Sequence, residues 1–207
     1  MARVSGPLMS VDASGSVAKT IVFAKWRGRN YVRRFAVPAN PRTAPQVTAR
    51  AIVKFLGAAW ASLSPTSQAT WEPGAESRKI SAFNEYVGVN ARKWRDQLPP
   101  SPATPPTQSE AAPAIGVLTA TASARQILLS IPYSGGISEW GIVVVRSLTT
   151  GVTGVPANAI AILPAIGTPV SFADGPLSPD TYFYNAFAFS QDGLFGAIGT
   201  EASATVV

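Results

Sequence analysis

Two absences decide which residues of this chain could do chemistry. The 207-residue sequence has no histidine and no cysteine. A Ser-His-Asp triad, a thiolate nucleophile, an imidazole metal ligand and cysteine-based zinc or iron–sulfur sites are therefore excluded. Serine–lysine pairs, paired carboxylates and all-oxygen metal sites remain open. Ser16-x-x-Lys19 has the spacing of a serine–lysine nucleophile. Its companion S-D-N and K-T-G boxes are missing, because Lys19-Thr20 is followed by Ile21. Glu72 and Glu76 are four apart, but Pro73-Gly74 between them is expected to spoil their placement on one helix face. Asp174, Asp180 and Asp192 fall among turn residues, where Asp serves the backbone, and they lack EF-hand spacing. There is no phosphate-cradling glycine motif. The expectation is a protein that is not an enzyme and holds no cofactor and no metal.

The chemistry that does stand out is that of contact. Between Asp12 and Glu72 there is no acidic residue, while nine Lys and Arg fall there. Uncompensated like charges call for an acidic neighbour: a protein surface, a neighbouring copy's acidic module or nucleic-acid phosphate. Lys25, Trp26, Arg27, Arg29, Tyr31, Arg33, Arg34 and Arg42 are the expected anchoring residues, since aromatic and arginine side chains carry most interface energy. The mix also has the composition of a single-strand binder. Strict strand alternation, however, can put rings and guanidinium groups on opposite faces, which makes Trp26 and Tyr31 core or interface anchors. Nucleic acid is thus a partner the charge allows and the pattern does not favour.

Elements must hold these side chains in place. Residues 20–26 and 31–37 read as two strands, with Arg27-Gly28-Arg29-Asn30 as the hairpin turn. Ser14-Gly15-Ser16 reads as a turn or flexible entry, and Pro38-Ala39-Asn40-Pro41 breaks the sheet pattern. Thr43 and Pro45 start a helix whose Val47, Ala51, Ile52, Phe55, Leu56, Ala59, Trp60 and Leu63 make one apolar face. Ser64-Pro65 starts a second helix, which Pro73-Gly74 ends. Ser81 caps a third, with Phe83, Val87, Ala91 and Trp94 spaced to pack inward.

A boundary follows. Six prolines fall between Pro99 and Pro113, a composition that favours an extended, semi-rigid spacer. The charge splits there too: residues 1–98 carry +10 and residues 99–207 carry −4. The expected organisation is a basic hairpin-plus-helices anchoring module at 1–98, a linker at 99–113 and a separate module at 114–207. That last module shows seven short apolar segments, at 115–122, 126–131, 140–146, 159–163, 170–173, 181–189 and 202–207. Gly, Pro, Asn and Asp separate them, as in an antiparallel β-sandwich. The fold class is therefore α+β. In the 181–189 segment Tyr182, Tyr184, Ala186 and Ala188 share one face and Phe183, Asn185, Phe187 and Phe189 the other. Trp140 is a candidate surface-ligand residue, for a sugar, although such rings more often fill sandwich interiors.

Two resemblances add to this reading. Ser14-Gly15-Ser16, Thr20-Ile21-Val22-Phe23, Trp26-Arg27-Gly28, Tyr31-Val32-Arg33, Pro38, Asn40-Pro41-Arg42-Thr43, Gln46 and Arg50 resemble a pattern in poorly characterised structural proteins of tailed-phage virions, over about residues 10–95. The C-terminal module resembles fibronectin type III or related immunoglobulin-like domains. There the matching residues are Val145-Arg146-Ser147, Thr149-Thr150-Gly151, Phe172-Ala173-Asp174, the run from Leu177 to Tyr184, and Ser190-Gln191-Asp192-Gly193. The resemblance makes Tyr182 or Tyr184 a tyrosine corner. The family's core Trp on the second strand is replaced by Ile131, for which Trp140 is expected to compensate. Together these imply a virion protein, first of all a capsid decoration (cement) protein. Its partners would be the major capsid protein or tail components and further copies of itself as a homo-oligomer. A tail, neck or baseplate component whose sandwich meets the host surface and a basic DNA-binding protein are the alternatives. Neither an apolar run of membrane-spanning length nor a signal-peptide pattern is found, so the expected location is the phage particle, made in the host cytoplasm, with no membrane partner.

Overall fold

A computed structural model describes residues 2–3, 14–37, 43–133 and 139–207. The chain divides into two units, Met1–Pro41 and Arg42–Val207.

The first unit is an antiparallel sheet of β1 (Ala2–Arg3), β2 (Gly15–Val17), β3 (Ile21–Trp26) and β4 (Arg29–Arg34), in the order β1-β4-β3-β2. The expected entry turn at Ser14–Ser16 is instead strand β2, paired with β3. The β3–β4 turn is also tighter than expected. Only Arg27 and Gly28 lie outside the strands, both at positive φ (47° and 76°), the two-residue geometry that matches strand twist. Gly28 takes that conformation without steric cost. None of residues 14–37 is buried. The expected break at 38–41 lies outside the described residues.

The second unit opens with four helices: α1 (Ala44–Trp60), α2 (Pro65–Ala69), α3 (Glu72–Arg78) and α4 (Ala82–Arg95). Ser64 and Ser81 cap as expected, each hydroxyl accepting from the backbone N–H three residues on. Thr43 stands at the N-cap of α1 without a side-chain bond. Pro73-Gly74 does not end a helix. It lies in the first turn of α3, where a proline removes no intrahelical bond, so Glu72 and Glu76 do share one exposed helix. On α4 the buried stripe is Tyr86, Asn90 and Trp94, while Phe83 is exposed.

Seven strands follow: β5 (Thr119–Ser123), β6 (Gln126–Ile131), β7 (Glu139–Ser147), β8 (Ala159–Pro164), β9 (Val170–Asp174), β10 (Asp180–Ser190) and β11 (Ala202–Val206). They form two antiparallel sheets, β5-β6-β9 and β11-β10-β7-β8. Packed face to face around one core, they make the expected antiparallel sandwich. Its core holds Ile127, Leu129 and Ile131 of β6 against Ile142 and Val144 of β7 and Tyr184, Ala186 and Ala188 of β10. Of the two tyrosines named as candidate corner residues, Tyr182 donates its hydroxyl to the Ser178 carbonyl four residues upstream at 3.0 Å, while the Tyr184 hydroxyl donates to Asp174.

The other face of the four-stranded sheet is buried as well. Val143, Val145, Ile162, Phe187 and Phe189 pack on Ile52, Phe55, Leu56, Trp71, Tyr86 and Trp94 of the helical segment. Each fully buried Val, Leu, Ile or Phe side chain contributes about 1.5–3 kcal/mol, so this second core ties the helices to the sheet. The helices are thus a third layer of the sandwich's own unit. The expected boundary at 99–113 is corrected accordingly.

The proline-rich segment shows the reason. Its residues 100–104 are a packed strap, while 107–111 are exposed. Asn90 grips Ser101 as one peptide grips another: its Oδ1 accepts from the Ser101 N–H at 2.9 Å and its Nδ2 donates to the Ser101 carbonyl at 3.0 Å. The indole N–H of Trp71 donates to the Pro102 carbonyl at 2.9 Å. Lys93 donates to the Ser101 hydroxyl, and burial lowers the Lys93 ammonium pKa from its ordinary value. Proline sets an extended backbone, and the neighbouring polar side chains satisfy its carbonyls.

Candidate functional site

The residues singled out for anchoring lie in the first unit, and the register sorts them. Residues directly opposite in an antiparallel pair share a face. Trp26 pairs with Arg29, Ala24 with Tyr31 and Val22 with Arg33, and Ser16 pairs with Val22. One face therefore carries Trp26, Arg29, Tyr31 and Arg33 over small residues. The opposite face carries Val17, Ile21, Phe23 and Val32 with Lys25 and Arg34. The expectation that rings and guanidinium groups separate is corrected. Residues 29, 31 and 33 have one parity, and Trp26 joins them across the two-residue turn.

Exposure fits contact rather than core. Trp26 is 64% exposed, and Val17 and Ile21 on the other face are 50% and 41% exposed. Tyr31 is half-buried, and Lys25, Arg27, Arg29, Arg33 and Arg34 are exposed. Arg27, in the turn, lies over the Trp26 ring with its guanidinium carbon 4.7 Å from the ring centroid. That stack holds one cation at the tip of the hairpin beside the ring. Residues 14–37 contain no Asp or Glu. Arg42 lies outside the described residues.

The second unit places Trp140 differently from the sequence expectation. The β7–β10 pairing is irregular between Phe189 and Ser190, leaving Trp140 as the extra residue, and such a bulge re-aims a side chain. Trp140 packs edge-on to Phe55 at 5.2 Å and to Phe189 at 5.7 Å, on the helix side of the sheet. It does not replace the missing tryptophan of the sandwich core. It also lines a cleft of about 450 Å³ with Phe55, Ile162 and Pro164.

The carboxylates are engaged one at a time. Asp174 accepts from Arg146 at 2.7 Å and from the Tyr184 hydroxyl at 2.8 Å. Burial, then the Asp174 charge, raises the Tyr184 pKa far above the ordinary phenol value. Asp180 accepts from the Thr181 N–H beside it, and Asp192 from the Ser109 hydroxyl and the Glu110 N–H. Glu201 accepts from the Val152 and Gly151 N–H groups and the Thr150 hydroxyl. These bonds, Val152 first, hold its pKa below the ordinary carboxylate value. Among the described residues no group of three or more acids could hold a metal ion. Ser16 and Lys19 are both exposed, Ser16 in β2 and Lys19 in the following turn.

Sequence reasoning missed a groove of about 430 Å³ lined by Arg50 and Lys54 of α1 and by Arg146 and Asp174. Its only sequence signal was the four-residue spacing of Arg50 and Lys54, which puts both on one helix face.

No protein-family model matches the chain, and no curated protein does. Among solved structures, an Fn3-like protein from Clostridium thermocellum is 24% identical, covers 46% of this chain and 95% of its own, and superposes with a TM-score of 0.36. Pectate lyase Pel3 from Pectobacterium carotovorum is 19% identical over 45% of this chain and 27% of its own, with a TM-score of 0.38. A beta-1,2-glucanase from Parabacteroides distasonis is 20% identical over 51% of this chain and 14% of its own, with a TM-score of 0.39.

Proposed function

We propose that this chain is a non-enzymatic structural protein of a tailed-phage particle, a capsid decoration protein anchored to other particle proteins through its basic sheet. The observation that carries the reading is that no residue of 14–37, the described body of the first unit, is buried. A sheet with large apolar side chains on both faces and none of residues 14–37 buried is completed by a partner. The apolar centre formed by Val17, Ile21, Phe23 and Val32, flanked by Lys25 and Arg34, suits a partner surface with an apolar centre and an acidic rim. The second unit is the part such an anchor would carry. We assign its sandwich to the fibronectin type III group, since β8 joins the sheet of β7, β10 and β11 and Tyr182 makes the corner bond. As a decoration protein it adds interface between shell units and stabilises the shell by mass action.

Quantitative mass spectrometry of purified particles tests this. Hundreds of copies per particle are expected for a shell protein. A small multiple of six moves the chain to the neck, tail or baseplate, and absence from particles overturns the virion reading.

A further inference from the structure

We infer that the Trp26–Tyr31 face of the first unit binds single-stranded nucleic acid. This goes beyond the anchoring proposed above, which uses the opposite, apolar face. The sheet register brings together what a sequence-tolerant strand binder needs, a stacking platform beside cations. Trp26 and Tyr31 are diagonal cross-strand neighbours on one face, since Trp26 opposes Arg29 and Tyr31 lies two residues further along β4. Such neighbours are about 7–8 Å apart, room for each ring to take a base of its own. Ala24 and Ser16 on the same face are small, and Trp26 is 64% exposed with Arg27 lying over one face of its ring.

Arg29 and Arg33 flank Tyr31 along β4, and Arg27 stacks on the edge of the platform against Trp26. Arg27, Arg29 and Arg33 thus border the two rings, β1 brings Arg3 opposite Tyr31 in register, and no carboxylate occurs in residues 14–37 to compete for them. Arginine is also the cation that stacks on bases as well as binding phosphate. An acidic protein surface would satisfy the charge, whereas unstacked bases would satisfy it through their phosphates and also stack on an indole that is 64% exposed and on the tyrosine beside it. A double helix hides its base faces and could use only the arginines.

The test is fluorescence anisotropy of a labelled oligo-dT of about 20 nucleotides, longer than one site of about 4–16, titrated with the full chain. Binding is expected to weaken with salt by a logarithmic slope near −2, about 0.7 for each of three phosphates. From about 50 to 200 mM salt that is roughly a 20-fold loss. Trp26→Ala and Tyr31→Ala are each expected to weaken binding about tenfold. Trp26→Phe and Tyr31→Phe, which keep a ring and the sheet, should stay within about twofold of the parent. Arg29→Gln with Arg33→Gln should flatten the salt slope, and Arg34→Gln, on the opposite face, should not abolish the dependence on the rings. Three results would overturn the inference. They are no binding at low salt, binding of duplex as tight as of single strand with the alanine variants unchanged, or binding of poly-glutamate in place of the oligonucleotide. None of them depends on copy number in particles, so this inference and the virion reading fail separately.

Discussion

The molecule contains two four-stranded antiparallel sheets, and they are opposites. The sheet β11-β10-β7-β8 is buried on both faces, by the sandwich core on one side and by the helices on the other. The sheet β1-β4-β3-β2 has no buried residue along 14–37. Backbone pairing is the same in both. What differs is the side chains. Residues 142–145 are Ile-Val-Val-Val, apolar on both faces, whereas β4 spreads three arginines over its two. A sheet buried twice is part of a scaffold, and a sheet buried on neither face is a surface kept for something else.

Four substitutions sharpen or break this contrast. The largest effect is expected at Phe189, which meets Phe55, Trp94, Trp140 and Phe195 edge-on. Phe189→Ala should cost about 3–5 kcal/mol in chemical denaturation. Helix and strand signals should still be lost in one transition, and two separate transitions would undo the three-layer description. Next is Asn90→Ala, which leaves the buried Ser101 N–H and carbonyl without partners. It should cost about 1–3 kcal/mol, whereas a free spacer at 99–113 would leave stability unchanged.

A smaller effect is expected at Glu201. Its pKa is depressed in the folded chain, so its contribution is present above the ordinary carboxylate pKa and is lost as pH falls through the folded value. Thermal unfolding should therefore show Glu201→Gln less stable than the parent near neutral pH, with the gap closing in acid. A gap that stays constant down to strongly acidic pH would contradict the capping role. Last, Trp26→Ala should change stability by less than about 0.5 kcal/mol. A multi-kcal loss measured on the free chain would mean that the first unit has a core after all.

Much of this fold was legible in the sequence, and the failures share a cause. All seven sandwich strands follow from short apolar runs separated by turn residues. The starts of α1, α2 and α4 follow from Thr43 with Pro45, Ser64 with Pro65 and Ser81, whereas Pro73-Gly74, taken for a helix end, stands in the first turn of α3. What no local pattern states is the partner of an apolar face. Phe55 and Leu56 announce a buried side, yet nothing adjacent to them names β7 and β10 as the cover. One signal was available: the unbroken run of residues 142–145 marks a strand covered on both sides, so a further layer had to exist. The proline-rich segment misled because composition reports backbone stiffness and not enclosure, and its grip by Asn90 and Trp71 comes from residues 11 and 31 positions away. At the candidate site, the basic and aromatic composition was visible, while its arrangement depended on register. A two-residue turn at Arg27-Gly28, rather than a four-residue loop, decides which residue opposes Trp26.

The central claim is that the helices belong to the sandwich while the basic sheet is a separate unit whose described residues 14–37 include no buried one. Amide hydrogen exchange on the intact chain without a partner tests it most directly. The account predicts that α1 and α4 are protected as strongly as β7 and β10, and that residues 14–37 exchange orders of magnitude faster. Helices that exchange as fast as residues 14–37 while the sandwich stays protected would contradict it.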